Sequence, residues 1–322
     1  YAGSINYLAS TSGTTFTINK ATATLLVTNS PVTYNGTPKT ANVGSSIPGT
    51  VSNVRYNGSA TAPTNAGTYA ITADFVPSNT TNFSTLNSAS AGNFVIQKTG
   101  TPTLSVSNSP VTYDGTPKAA TVVGSVAGTV SNVKYNGSAT VPTGAGTYVI
   151  TADFVPTNAN LNSVVGAAAG SFTVAKAATV TTLDCGAGTF PYTGAALTPC
   201  TATVTGAGGL NQSVAVTYVG NVDVGTAAVN AKYAGSANYL ASSAVDTFVI
   251  DKAQTTTVVT CAPGPFTVTG AAIEPCTAVV TGPGGLSQSL AVVYSNNVAV
   301  GTASATANYA GGASYLPSSD TE

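Results

Sequence analysis

Long stretches of this chain return almost word for word at fixed distances, and that internal repetition limits what it can fold into more than any other feature. TNSPVTYNGTPKTANV at 28–43 is matched by SNSPVTYDGTPKAATV at 107–122, so that Tyr34 recurs as Tyr113. GTVSNVRYNGSATAPTNAGTYAITADFVP at 49–77 returns at 128–156 with the same shift. A second kind of unit follows, in which CGAGTFPYTGAALTPCTATVTGAGGLNQS at 185–213 is matched by CAPGPFTVTGAAIEPCTAVVTGPGGLSQS at 261–289, so that Cys185 recurs as Cys261. Both kinds close on a short apolar run ending in lysine: FTINK at 16–20, FVIQK at 94–98, FTVAK at 172–176 and FVIDK at 248–252. The chain therefore reads as the C-terminal part of a preceding module at 1–20, two modules of one kind at 21–98 and 99–176, and two of another at 177–252 and 253–322. The last of these stops before its closing strand.

The phrase YAGSINYLAS at 1–10 recurs as YAGSANYLAS at 233–242 and YAGGASYLPS at 309–318, and the chain contains no Met. Both facts read as a window cut from a longer continuous array. Donation of Phe16–Lys20 from one copy to complete 253–322 of another is the competing reading. It is disfavoured because residues 309–322 already duplicate most of 1–14.

Within a unit the pattern is that of short strands. In GTYAITADFVP, Tyr69, Ile71, Ala73 and Phe75 alternate with Ala70, Thr72, Asp74 and Val76, which is the period of a half-buried strand. The closing runs suit a last core strand. YNGT at 34–37, YDGT at 113–116 and YNGS at 56–59 and 135–138 carry Asn-Gly or Asp-Gly, the dipeptides of two-residue hairpin turns. Stretches without alternation, such as VVGAAAGS at 164–171, are short and broken by glycine, so helix is not expected. Several short strands in each short unit predict an all-β chain, a tandem array of small Ig-like β-sandwich modules. Small mixed-β modules of β-grasp type are the alternative.

Composition excludes several partners. Charged residues make up 6% of the chain against an average of about 25%, and the net charge is −1. Nine Lys and Arg form no basic stripe, so nucleic acid has no electrostatic footprint here. Thr, Ser, Asn or Gly interrupts each apolar stretch well short of the roughly 18 residues a spanning helix needs, so this segment carries no membrane span. Disorder is not expected, because it combines high net charge with low hydrophobicity.

The four cysteines form a duplicated pair. Cys185 and Cys200 lie 15 apart in one module, Cys261 and Cys276 lie 15 apart in the next, and no Cys is left over. The arrangement reads as one disulfide inside each module, Cys185–Cys200 and Cys261–Cys276, each contributing on the order of 3 kcal/mol in the chain-entropy model. It implies an oxidising, extracellular compartment. A four-thiolate metal site would need all four sulfurs at one point, and the CxxC spacing of zinc sites is missing.

Nothing predicts catalysis. The chain has no His, which removes the commonest general base and the commonest transition-metal ligand together. No paired-carboxylate motif occurs, no cofactor is implied, and the protein is not expected to be an enzyme. Asp74 and Asp153 recur in ITADFVP and read as polar-face residues or partners of a local Lys. A Lys–Asn isopeptide bond would draw its amine from Lys39, Lys118 or the closing Lys20, Lys98, Lys176 and Lys252, and it requires a neighbouring acid kept protonated by burial. Module 21–98 offers only Asp74 for that part. The GAGG at 206–209 and GPGG at 282–285 lack the Lys-Ser or Lys-Thr of a phosphate loop and read as hairpin turns. Tyr34, Tyr56 and Tyr69 sit at fixed repeat positions and read as core or corner residues rather than as a stacking platform for sugars.

The first pair of modules, with VTYNGTPK and VTYDGTPK followed by AGTY and the closing FVIQK and FTVAK, resembles the bacterial repeat modules known as MBG or YDG domains. The second pair, with YAGSANYLASS and FVID, is similar to bacterial Ig-like tandem repeats of large surface proteins, which do not require the cysteine pair found here. The resemblance implies a cell-surface array without a shared active site. Linkers as short as TGTP at 99–102 hold neighbouring modules in a semi-rigid line. The expected function is a structural segment of an extracellular bacterial fibre, stalk or filament, whose partners are other copies or neighbouring modules. The alternative is an adhesin or repeat array that binds cell-surface glycans.

Overall fold

The structure, a computed structural model, describes residues 2–8 and 11–322. It divides into two compact units, one of Tyr1–Asn108, Ala120–Thr140 and Tyr148–Phe172, the other of Ser109–Ala119, Val141–Thr147 and Thr173–Glu322. The described residues form strands and two three-residue 3-10 turns. Tandem β-modules are thus what the sequence folds into.

The first module holds β1 (Leu25–Val27), β2 (Val32–Thr33), β3 (Val43–Ser45), β4 (Gly49–Tyr56), β5 (Gly67–Pro77) and β6 (Leu86–Gln97). β1 and β3 pair in one small sheet, and the other sheet runs β2-β6-β5-β4. The second module repeats this plan with β7 (Leu104–Val106), β8 (Val111–Thr112), β9 (Val122–Gly124), β10 (Gly128–Tyr135), β11 (Gly146–Pro156) and β12 (Val164–Ala175). Its sheets are β7-β9 and β10-β11-β12-β8. Period two in β5 places Ile71, Ala73 and Phe75 at 0% exposure, and the closing run of β6 adds Phe94 and Ile96. One core joins these residues to Ala23 and Leu25 at the other sheet, so the two sheets share a single apolar layer.

The third module has β13 (Thr179–Asp184), β14 (Thr189–Pro191), β15 (Thr201–Gly206), β16 (Leu210–Ser213), β17 (Val216–Val219), β18 (Gly225–Tyr233) and β19 (Ser242–Asp251). They form sheets β13-β15-β16 and β14-β19-β18-β17. The fourth has β20 (Thr256–Cys261), β21 (Cys276–Gly282), β22 (Leu286–Leu290), β23 (Val293–Ser295), β24 (Ser304–Tyr309) and β25 (Ser318–Thr321), in sheets β20-β21-β22 and β23-β24-β25. Its buried core is Val259, Ala278, Ala305 and Ala307, smaller than that of the third module, where Phe248 and Ile250 of the closing run are buried. Phe266 and Val268, which stand where the third module has Phe190 and Tyr192, are each 48% exposed.

Two local expectations change and one is sharpened. YNGS at 56–59 does make a tight turn, with positive φ at Asn57 and Gly58 and reciprocal Tyr56–Ser59 backbone bonds. YNGT at 34–37 does not make a hairpin, because β2 pairs parallel to β6 and its chain must run on. Asn35 instead accepts from Thr37 N–H in a local turn. VVGAAAGS is not helical, as expected, and belongs to strand β12, where Gly166 and Gly170 at positive φ interrupt the alternation. The run at 16–20 is not in a strand, and Phe16 and Ile18 are each 84% exposed.

Asp74 is a bulge clamp and not a partner of lysine. The register of β4 on β5 shifts between Ser52 and Arg55, where Asn53 takes positive φ. Asn53 Nδ2 donates to Asp74 Oδ2 at 2.6 Å and Ser88 N–H donates to Oδ1 at 2.7 Å. Asp153 repeats this with Asn132 at 2.5 Å and Gly166 N–H at 2.7 Å. The amide of Asn53, then the Ser88 N–H, hold Asp74 below the usual carboxylate range, and Asn132 and Gly166 do the same for Asp153. A lowered folded pKa gives stability that is present above the unfolded value of about 3.9 and is lost as pH falls through the folded one. Stability to urea, followed by tyrosine fluorescence, should therefore fall below about pH 4 in the wild type, and less steeply in a D74A/D153A variant. Superimposable acid limbs would refute the clamp.

Candidate functional site: the module junctions

The Tyr-x-Gly turn of one module seats on the glycine loop of the next. A Cβ placed on Gly194 would lie 2.3 Å from Gly284 Cα, and one on Gly115 would lie 2.8 Å from Gly208 Cα. All four glycines have positive φ, between 68° and 86°, so both sterics and backbone conformation favour glycine there. The loops at 206–209 and 282–285 are indeed turns, joining β15 to β16 and β21 to β22, but they also serve as docking knobs. Beside each glycine contact stands a tyrosine pair, edge to face. Tyr113 and Tyr239 have centroids 5.3 Å apart, and Tyr192 and Tyr315 5.5 Å. Tyr239 donates to Ala207 O and Tyr315 to Pro283 O, which fixes the outer ring of each pair. Burial, first among the causes, pushes the phenols of Tyr239 and Tyr315 above the ordinary tyrosine range.

A recurring loop residue ties the linker down. The N–H groups of Ala21, Thr99, Ala177 and Ala253 donate to the carbonyls of Asn82, Asn160, Asn238 and Ser314 at 2.9, 3.0, 2.9 and 2.9 Å. The side chains of two of these residues reach back to the preceding module. Asn160 Oδ1 accepts from Ala66 N–H at 2.7 Å, its Nδ2 donates to Asn65 Oδ1 at 3.2 Å, and Asn160 is only 9% exposed. Asn238 Oδ1 accepts from Ala145 N–H at 2.8 Å. The closing lysines supply a further tie: Lys20 Nζ donates to Thr80 O and Lys176 Nζ to Ser236 O. The sequence reading missed the asparagines and the lysine contacts, although an Asn precedes Phe83, Leu161 and Tyr239 at the same place in three successive modules.

The cysteines are where the sequence puts them. Cys185–Cys200 and Cys261–Cys276 are disulfide-bonded, and no described cysteine is free. Tyr218 accepts from Cys200 N–H at 3.1 Å and donates to Cys200 O at 3.0 Å, and Tyr294 treats Cys276 in the same way. In the first two modules Tyr56 and Tyr135, 6% and 5% exposed, accept from the N–H groups of Ala41 and Ala120. These are structural tyrosines whose rings pack in the core.

The residues weighed for chemistry do not converge. Lys118 pairs with the exposed Asp114 of its own turn, and the lysine holds that carboxyl well below the usual range. The hydrogen bonds to Asp74 and the lysine beside Asp114 both favour the charged carboxylate, whereas isopeptide formation needs an acid whose protonated form is favoured. No group of three or more Cys, Asp or Glu able to hold a metal occurs among the described residues. No described helix is long and apolar enough to cross a membrane.

Residues 23–100 and 102–178 each match the family model described as the MBG domain. The chain therefore carries two MBG repeat modules in tandem. No curated protein matches it, and neither does any solved structure.

Gly194→Ala tests the seat against an internal control. Gly270 stands at the same place in the fourth module, also at positive φ, with nothing within 4 Å of a built Cβ. Left-handed strain alone should cost G270A about 1–2 kcal/mol, and G194A should lose about 1–3 kcal/mol more from the clash, read by calorimetry. Equal losses would remove the seat.

Proposed function

We propose that the chain is a structural segment of an extracellular bacterial surface fibre, stalk or filament, whose working surfaces are the junctions between its modules. The observation that carries this reading is recurrence. Linker N–H to loop carbonyl, Tyr-x-Gly on glycine loop, and asparagine on preceding backbone each occur more than once, with the two kinds of module using interchangeable parts. Chemistry that evolves toward a ligand marks one module off from the others, whereas here the same contacts repeat. The two disulfides suit an oxidising compartment, and the hydroxyl- and amide-rich surface with net charge −1 leaves lateral association with other copies unopposed by repulsion.

The test follows the protein in producing cells. External protease added to intact cells should release peptides of residues 1–322, and the isolated protein should show no free thiol before reduction. On a glycan array it should bind nothing saturably. Protection from external protease together with reduced cysteines would refute the surface assignment, and saturable glycan binding would replace the structural role with an adhesive one.

A further inference from the structure

We propose that in each of the two MBG modules the parallel pairing of the short second strand with the last strand is a mechanical clamp that resists tension along the chain. The inference deepens the stalk reading and rests on it for its purpose, but the clamp itself is a property of the module.

The geometry comes from strand direction. β2 pairs parallel to β6, with Val32 opposite Ile96 and Thr33 opposite Gln97. β8 pairs parallel to β12, with Val111 opposite Val174 and Thr112 opposite Ala175. Flanking bonds extend both pairs. Tyr34 N–H donates to Gln97 O at 3.0 Å and Tyr113 N–H to Ala175 O at 2.9 Å. Ser30 Oγ accepts from Val95 N–H and Ser109 Oγ from Thr173 N–H, both at 2.9 Å. Ile96 and Val174, at 2% and 1% exposure, back the pairs with apolar core that keeps competing water away.

Tension enters a module from its N-terminal side and leaves through its last strand. β1 is three residues long and antiparallel to β3, so it peels first and passes the load to β2. Two parallel strands have their N-terminal ends together. Pulling β2 backward and β6 forward therefore slides one along the other and loads every bond between them at once. A bond near 2.9 Å is lost beyond about 3.5 Å, so a common slide of a few ångströms decides rupture. An antiparallel terminal pair would instead open one bonded pair at a time, about every 7 Å of strand. The third module has a parallel pair too, β14 on β19, but β14 lies inside the Cys185–Cys200 loop, where the covalent bond carries part of the tension past it. The clamp is therefore confined to residues 21–176.

The experiment is single-molecule force spectroscopy of the full chain, held at its two ends. An MBG module such as 21–98 releases at most about 280 Å of extended chain. Events from the disulfide modules are recognised because reductant lengthens them by about 50 Å, the 15 residues each disulfide withholds. For the MBG events the distance to the transition state, read from the dependence of rupture force on loading rate, should be on the order of 2–4 Å. S30A and S109A should speed unfolding under force several-fold in their own modules, while S59A, which removes an equivalent acceptor from the exposed 59–61 turn, should not. Circular dichroism of each variant confirms that it is folded before pulling. A distance of about 7 Å or more, the spacing of successive bonded pairs that unzip, would overturn the clamp. So would S59A matching S30A. Either outcome would leave the stalk reading standing, since a spacer need not resist load; retention of the protein inside cells would do the reverse.

Discussion

Each of the first three modules is held together by its last strand, which lies between the strand just before it and a short strand from early in the module. Phe94 and Ile96, Phe172 and Val174, and Phe248 and Ile250 occupy it at 0–2% exposure. On one side β5 or β18 pairs with it in antiparallel fashion; on the other β2, β8 or β14 pairs in parallel. Burying a Phe and an aliphatic residue is worth about 3–6 kcal/mol together, a large share of the net stability of a domain this size. At 16–20 the same kind of run is outside any strand and Phe16 and Ile18 are exposed, and in the fourth module Phe266 and Val268 are half exposed where the third module packs Phe190 and Tyr192 against its core.

The position of that strand also explains the junctions. A lysine follows it directly, and one residue later the next module's linker N–H is already bonded to a loop carbonyl of that module. Little chain is left free between modules. What the linker does not fix, side chains do: an asparagine amide on the preceding backbone at 66 and 145, and glycine on glycine at 115–208 and 194–284. A Cβ at those glycines would meet backbone, which cannot rotate away as a side chain can. The junctions therefore depend on residues that look like ordinary turn formers.

That dependence marks where the sequence was legible and where it was not. Repetition exposed the modules, alternation exposed β5, and duplicated cysteines exposed the disulfides, since each is a signal within one segment. The parallel pair β2·β6 was not legible: two residues show no period, and parallel pairing joins Val32 to Ile96 from opposite ends of the module. The Tyr-x-Gly turn carried a true glycine signal, but local turn chemistry could not reveal that its neighbour is another module. Asn160 is buried because a second module covers it, a fact no local window contains.

Site-resolved amide hydrogen exchange tests the central claim, that the modules are joined by built contacts and not merely strung together. The N–H groups of Ala66 and Ala145 lie outside the strands and find their acceptors in the following module, on Asn160 and Asn238. Slow exchange is expected at both, well below that of the turn amides of Gly58 and Gly137. Exchange at Ala66 and Ala145 as fast as at those turns would mean the junctions stand open in solution and would contradict that claim.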